Sequence, residues 1–171
     1  MATLFLMCGL PGSGKTTLAR RLERERGALR LTPDEWIARL YGPHLTPPAL
    51  DWCRDPVEAL QWEVAERALR LGLNVVLDFG FWSRAEREEF RARAVALGAG
   101  SEVHFLDVPR ATLSARLAAR NAEPPPGTFR VTEAQLDAWW QVFEPPTADE
   151  LRPRSEGGEE EGVPCPSSSK D

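Results

Sequence analysis

Short apolar runs alternate with longer amphipathic segments along the chain. Residues 3–8 form a continuous apolar run that ends at glycine, which is typical of a strand buried on both faces. Comparable runs predict three further strands, at residues 28–31, 74–78 and 101–107. Amphipathic segments between and after these runs predict helices at residues 15–27, 35–41, 56–71, 84–97, 112–121 and 133–143. Strands that alternate with helices in this way predict an open, parallel α/β sheet.

Polar residues with helix-capping chemistry mark where three of these helices begin. Asp55, Pro56 and Glu58 supply an N-cap, a proline at the first helical position and a capping-box glutamate. Ser83 and Thr132 each stand three residues before a glutamate or glutamine, which is the same signal. Segments rich in proline, glycine and polar residues predict loops at residues 42–54 and 122–131.

Length and charge suggest one folded domain followed by a tail. The 171 residues suit a single domain, which we expect to cover residues 1–148. Residues 149–171 contain seven acidic residues and very few apolar ones, so we expect a disordered acidic tail that joins no core. The whole chain has 26 acidic and 21 basic residues, and most of the net charge of −5 lies in this tail. The near-neutral body therefore lacks the basic face that long nucleic acids favour.

Other protein classes are disfavoured by what the sequence lacks. No apolar run approaches the ~18 residues of a membrane-spanning helix, and the first apolar run has no signal-peptide pattern. The three cysteines have neither metal-ligand spacing nor an even number for a disulfide framework. We therefore expect a cytoplasmic protein with no membrane contact, and nothing in the sequence implies a partner protein.

The strongest chemical signal is a phosphate-binding loop. Residues 9–16 read Gly-Leu-Pro-Gly-Ser-Gly-Lys-Thr, directly after a predicted strand and before a predicted helix. Glycines let successive backbone amides point at a phosphate, Lys15 would reach the outer phosphates, and Thr16 would ligate Mg²⁺. Lys15 is one of just two lysines in the chain, which makes its position informative. The residues we expect to contact the nucleotide here are Gly9, Pro11, Gly12, Ser13, Gly14, Lys15, Thr16 and Thr17.

Beyond this loop, four features recur in a familiar order. They are Asp34 after the second strand, Asp78 ending the third, a helix after Asp107-Val108-Pro109, and a closing Phe143-Glu144-Pro145-Pro146. With the P-loop they resemble the P-loop kinase family, which includes AAA-type ATP-binding proteins, polynucleotide 5′-hydroxyl kinases, zeta-toxin-like and chloramphenicol phosphotransferase-like enzymes. The resemblance implies a three-layer P-loop fold with a short parallel sheet and a helical lid, and ATP and Mg²⁺ as cofactors.

The two aspartates acquire roles by this resemblance. Asp34 resembles the general base that binds the substrate hydroxyl and accepts its proton, a task that suits an ionised carboxylate. Its alternative role is that of a helix N-cap. Asp78 lies at the carboxyl end of a strand, where open α/β sheets bind ligands, and by resemblance it positions Mg²⁺ or the substrate. Its alternative role is to cap the following turn.

Two arginines complete the expected catalytic set with Lys15 and Asp34. Arg116 and Arg120 stand four residues apart, so they share one helix face. By resemblance they belong to the lid over the triphosphate, with Arg120 binding the nucleotide, because guanidinium groups hold phosphate oxygens with two hydrogen bonds. A solvated charged face is the competing interpretation in a chain so rich in arginine.

These expectations combine into one function with two rivals. We expect a kinase that transfers the γ-phosphoryl group of Mg-ATP to a hydroxyl of a small-molecule acceptor. Ile37 stands where the polynucleotide kinase has an arginine that contacts nucleic acid, so a nucleic-acid 5′-hydroxyl kinase is the less favoured alternative. A non-catalytic nucleotide-binding switch is the other. The family's usual last strand has no evident counterpart after Pro146.

Overall fold

The computed structural model describes residues 1–42, 45 and 47–155. Within them, a parallel sheet has helices on both faces. The strands are β1 (Thr3–Cys8), β2 (Ala28–Leu31), β3 (Asn74–Gly80) and β4 (Gly100–Phe105). The helices are α1 (Lys15–Glu25), α2 (Pro33–Tyr41), α3 (Pro47–Arg70), α4 (Arg84–Ala96), α5 (Arg110–Ala122) and α6 (Glu133–Val142). The predicted strands and the parallel α/β architecture are confirmed.

The sheet has the strand order β2-β3-β1-β4, and every pairing is parallel. In β1, Leu4 pairs with Val75 of β3 on one side and with Ser101 of β4 on the other. The chain leaves β1 toward β2 and leaves β3 toward β4, so the direction of winding reverses between β1 and β3. Ligands of open α/β sheets bind at such a switch point, beyond the carboxyl ends of the strands.

Both faces of the sheet are buried, which explains the continuous apolar runs of its strands. On one face, Leu4 and Leu6 of β1 pack with Leu77 of β3 against the α3 and α4 side. On the other face, Phe5 and Met7 pack against α1. Helix, sheet and helix thus form the predicted three layers, with the end of β1 delivering the P-loop to the switch point.

The prediction of a loop over residues 42–54 was wrong for most of its length. α3 begins at Pro47 and continues through Pro56, which therefore lies inside the helix and is not its first residue. Cys53 and Val57 are buried on either side of Pro56, in a cluster with Ile37 and Phe129. The apolar packing of this helix face outweighs the backbone hydrogen bond that proline removes.

The predicted domain boundary at residue 148 also needs correction. Residues 144–154, here called the C-terminal strap, pack along α4 and the edge of β4. Glu150 is 1% exposed, and its carboxylate accepts hydrogen bonds from Arg87 Nε at 2.6 Å and Nη2 at 3.1 Å. Arg91, also buried, donates to the backbone oxygens of Glu150 and Arg152. The acidic residues and the scarcity of apolar ones suggested a disordered tail here, but buried arginine partners draw residues 149–154 into the fold.

The strap also pairs with the edge of β4, where the family's usual last strand would lie. Arg154 and Ser101 exchange backbone hydrogen bonds of 2.9 and 2.7 Å, which form a single antiparallel bridge on the edge of β4. The rest of the expected tail, residues 156–171, lies outside the described residues. Among the helices that the structure describes, none has the length and apolar character needed to cross a bilayer.

Candidate functional site

Three glycines shape the loop between β1 and α1. Gly9, Gly12 and Gly14 have φ angles of 145°, 84° and 102°, in the region that favours glycine. The space is also tight, since a Cβ on Gly12 would lie 3.1 Å from Cγ of Leu117. The first turn of α1 contains no acidic residue, so its positive end is free to attract an anion. Pro11, which is half-buried, completes the loop.

Lys15 is held inside this loop with a backbone oxygen as its partner. Its Nζ donates to the Leu10 oxygen at 2.9 Å. Burial lowers the pKa of Lys15 to about 8, although the charges of Asp78 and Asp34 oppose that shift. Ser13 Oγ is buried with no hydrogen-bond partner among the described residues. A partly buried lysine and an unpaired hydroxyl in a glycine loop both fit a bound phosphate group.

Thr16 and Asp78 meet beside the loop, as the expected Mg²⁺ role of both requires. Thr16 Oγ1 donates to Asp78 Oδ2 at 2.7 Å, and Thr32 Oγ1 lies 3.3 Å from the same oxygen. Burial raises the pKa of Asp78, while the hydrogen bond from Thr16 and the charge of Lys15 act in the opposite direction. Hard oxygen donors of this kind suit Mg²⁺.

These donors would not hold a metal ion without help. Among the described residues there is no group of three or more histidine, cysteine, aspartate or glutamate side chains that could bind one. Mg²⁺ is commonly bound by one or two protein oxygens together with substrate phosphates. The Thr16 and Asp78 pair therefore fits a metal that arrives with a nucleotide.

Asp34 is not the N-cap of α2. The helix begins at Pro33 with Thr32 in the N-cap position, so Asp34 lies within the first turn. Its Oδ1 accepts a hydrogen bond from Arg54 Nη2 at 2.6 Å, and 38% of its side chain is exposed. The capping alternative is thereby excluded, and the carboxylate stands at the carboxyl-end edge of the sheet, which both Asp78 and Lys15 also occupy.

Arg54 and Glu58 are site residues that the sequence analysis missed. Both lie on α3, where Arg54 Nη1 is 3.5 Å from Glu58 Oε1. Burial raises the pKa of Glu58 to about 7, against the charge of Arg54 and with a further rise from the charge of Glu86. Their spacing of four residues would have indicated the pair if residues 47–54 had been recognised as helical.

The two arginines of α5, Arg116 and Arg120, reach different parts of the site. Arg116 Nη1 lies 3.3 Å from the backbone oxygens of both Gly12 and Ser13, in the P-loop itself. Arg120 donates to the Phe129 oxygen at 3.2 Å, while its Nε is buried with no partner among the described residues. Burial lowers the pKa of Arg120, opposed by the charge of Asp34, so these two groups are close enough to interact.

A cavity of about 670 Å³ opens beside the P-loop. It is lined by Gly12, Ser13, Gly14, Thr17, Leu18, Arg21, Arg24, Leu106 and Arg116. Asp34 and Arg54 are absent from this lining. The site thus has a cavity next to the P-loop glycines and a separate group of carboxylates and arginines next to Lys15.

The aromatic residues that follow Asp78 serve packing. Phe81 is buried, and its ring stacks on Phe79 with centroids 5.6 Å apart. Trp82 packs against Trp139 at 5.4 Å. Ile37, which replaces the arginine expected of a polynucleotide kinase, is fully buried.

A parallel sheet of this order, a glycine loop after β1 and a threonine–aspartate pair beside its lysine define a nucleotide-binding P-loop domain of the kinase type. A protein-family model described as an AAA domain matches residues 4–146, and the chain belongs to that family. No match was found among curated protein sequences.

Solved structures agree with this class. A chain of the Pnkp1/Rnl/Hen1 RNA repair complex has a TM-score of 0.64 and 18% identity, over 99% of this chain and 52% of that one. This chain therefore spans about half the length of that repair protein. A gluconokinase from Sinorhizobium meliloti 1021 has a TM-score of 0.54 and 18% identity, over 88% of this chain and 78% of its own.

Kti12 from Chaetomium thermophilum, solved in complex with ADP-AlF3, has a TM-score of 0.63 and 20% identity. The match covers 84% of this chain and 81% of Kti12. At such identities the three likenesses show a shared fold.

Proposed function

We propose that the protein is a kinase that transfers the γ-phosphoryl group of Mg-ATP to a hydroxyl of a small-molecule acceptor. The observation that carries this proposal is the position of Asp34. Its carboxylate caps no helix, is held by Arg54, and is close enough to Lys15 for their charges to interact. A nucleotide-binding switch has no use for such a group, whereas a kinase needs a carboxylate to accept the proton of the attacking hydroxyl.

Each residue of the site has a task in this reaction. Bound Mg-ATP supplies the phosphoryl group and the metal charge that stabilises it, with Thr16 and Asp78 holding the metal. Lys15 offers its ammonium group to the outer phosphate oxygens. Arg116 and Arg120 hold phosphate oxygens from the α5 side with guanidinium hydrogen bonds.

The remaining chemistry belongs to the acceptor. Asp34 orients the acceptor hydroxyl and takes up its proton as the hydroxyl oxygen bonds to the γ-phosphorus, while the bond from that phosphorus to the bridging oxygen breaks and ADP leaves. Holding the hydroxyl in line with the phosphate brings much of the rate gain that such kinases need.

The surroundings of Asp34 favour a small acceptor over a nucleic acid. Arg54 is engaged by both Asp34 and Glu58, and Ile37 is fully buried and offers no cation. Lys15 and Arg120 serve the donor nucleotide in this proposal. A nucleic acid would need further cations for its own phosphates, whereas an uncharged alcohol, such as a sugar or nucleoside hydroxyl, needs none.

A screen of ATP consumption tests the proposal. The full chain is incubated with Mg-ATP and pooled sugars, nucleosides, antibiotics or 5′-hydroxyl oligonucleotides, and ADP release is compared with a reaction lacking acceptor. We expect stimulation by a small-molecule pool and none with Lys15→Ala. Stimulation by oligonucleotides alone would instead identify a nucleic-acid kinase. ATP binding without stimulation by any pool would favour a switch.

A further inference from the structure

The cavity beside the P-loop is lined by arginine side chains, which are hydrogen-bond donors and do not match the amino group of adenine. We propose that it recognises the 6-oxopurine base of a nucleotide, so that GTP binds at least as tightly as ATP and also serves as phosphoryl donor. This inference rests on the proposed function, because it takes the P-loop to hold the triphosphate of the same nucleotide.

The location of the cavity supports a base site. The α1 residues of the cavity lining each have another lining residue three or four positions away, so they form one face of α1 and its N-terminal cap. They are Gly14, Thr17, Leu18, Arg21 and Arg24. This face runs from the P-loop outward. A nucleoside attached to phosphates in the loop needs space next to it, and the cavity opens there.

The hydrogen-bond acceptors of the cavity wall lie mainly at its P-loop end, away from the space for a base. The backbone oxygens of Gly12 and Ser13, each 3.3 Å from Arg116 Nη1, belong to the P-loop itself. The backbone oxygen of Gly14 accepts from the Leu18 amide at 3.1 Å. Apart from the hydroxyls of Ser13 and Thr17, which lie at the P-loop end, the polar side chains that line the wall are arginines.

Arg21 and Arg24 have guanidinium groups available to a ligand. Arg21 lies 3.8 Å from Glu25, and both side chains are about 60% exposed, so this contact is weak. Arg24 has no ion-pair partner among the residues that the structure describes. Both side chains can therefore turn toward the cavity at little cost.

Donors alone discriminate between the two purines. Guanine presents two acceptors on one edge, O6 and N7, which match the two parallel N–H groups of a guanidinium. Adenine presents N7 beside an amino group, and that amino group would face another donor. A wall that offers arginine donors thus favours guanine, or inosine, over adenine.

Calorimetric titration of the full chain with Mg-GTP, Mg-ITP and Mg-ATP tests this inference. We expect GTP and ITP to bind with a Kd equal to or lower than that of ATP. The double variant with Arg21→Lys and Arg24→Lys keeps both positive charges but removes the paired N–H donors of the two guanidinium groups. It should weaken GTP and ITP binding by at least about fivefold and leave ATP within about twofold. Arg67→Ala, an exposed arginine on α3, is the control and should change neither.

The outcomes separate this inference from the proposed function. If ATP binds at least fivefold more tightly than GTP, or if the lysine variant weakens all three nucleotides equally, base recognition by arginine is overturned and the kinase proposal stands. If none of the three nucleotides binds, both proposals fail together. GTP-supported transfer should parallel GTP binding once an acceptor has been identified.

Discussion

Arg54 donates from Nη2 to Oδ1 of Asp34 at 2.6 Å and thereby joins the first turn of α2 to α3. The contact holds one carboxylate oxygen of Asp34 in a defined direction. A general base works only where its oxygen can reach the proton that it accepts, so such a brace is useful to catalysis. Because Arg54 also contacts Glu58, the brace is anchored along one face of α3.

Replacement of Asp34 by asparagine should separate binding from catalysis. Asn keeps the size of the side chain but cannot accept the proton, so transfer to the acceptor should fall by roughly 10²-fold or more. Nucleotide affinity should stay within a few-fold, because the P-loop and α5 hold the phosphates. Turnover is measured with the acceptor found by screening, and Asp137→Asn, at an exposed site on α6, is the control. Turnover like that of the wild type in folded Asp34→Asn would contradict the assignment.

Replacement of Lys15 by alanine should abolish nucleotide-dependent thermal stabilisation. At a concentration about 100 times Kd, a bound nucleotide adds about 2.7 kcal/mol, which corresponds to roughly 5–10 °C for a chain of this size. Without the Lys15 ammonium group the outer phosphates lose their cation within the loop. Differential scanning fluorimetry with and without Mg-ATP measures the shift. An undiminished shift in the variant would remove the P-loop lysine from the nucleotide site.

Nucleotide binding should be coupled to proton uptake above pH 8. In the nucleotide-free protein, burial lowers the pKa of Lys15 to about 8, so at pH 8.5 much of its side chain is neutral. A bound triphosphate favours the ammonium form and raises the pKa again. Titration at pH 8.5 in two buffers of different ionisation enthalpy should therefore give different binding enthalpies, and a smaller difference at pH 7. Equal enthalpies at pH 8.5 would contradict the shift.

The lowered pKa of Lys15 also determines how its contribution to the free energy of unfolding changes with pH. Its folded-state pKa lies below the unfolded value of 10.5, so the unfolded chain binds the extra proton between about pH 8 and 10.5. Lys15 therefore makes the nucleotide-free protein more stable relative to Lys15→Ala as pH rises through that window. Urea unfolding of both proteins at pH 7.5 and 10 checks the sign.

Deletion of residues 149–171, which include the second half of the C-terminal strap, should destabilise the domain, whereas deletion of residues 156–171 alone should not. Removing residues 149–171 leaves Arg87 buried without its carboxylate partner, which typically costs about 3–5 kcal/mol, or on the order of 10 °C in Tm. Removing residues 156–171 keeps the pair. Similar Tm values for the two truncated chains would show that the strap contributes nothing.

The substitution Glu150→Gln tests the same pair without shortening the chain. Burial alone would raise the pKa of Glu150, but hydrogen bonds from Arg87 outweigh burial and leave the pKa below its ordinary value. The stabilising contribution is therefore present above the ordinary glutamate pKa and is lost as pH falls through the lowered one. Glu150→Gln should lower Tm at pH 7. At acidic pH the difference in Tm between the variant and the wild type should become smaller. Asp149→Asn, at an exposed neighbour, should have little effect.

The parts of the fold that depend on residues adjacent in sequence could be predicted from the sequence. β1 and the P-loop are encoded by a short apolar run and an eight-residue motif, and the structure has both where they were expected. Asp34 and Asp78 each follow or end such a run, so their place at one edge of the sheet also followed from local pattern.

Features that depend on distant partners could not be predicted in this way. Pro56 reads as a helix start until the burial of its neighbours Cys53 and Val57 is known. Glu150 reads as part of a solvated tail because Arg87 stands 63 residues earlier in the chain. Neither contact leaves a periodic signal, since each joins segments that only the completed fold brings together.

The Arg87–Glu150 pair has a consequence for how the chain folds during its synthesis. Every strand of the sheet leaves the ribosome before residue 150 does, so the sheet can assemble while Arg87 still lacks its carboxylate. A nascent domain at that stage would hold an unpaired cation in its interior, which disfavours final packing around α4. We therefore expect this packing to be completed only after Glu150 has emerged and can pair with Arg87.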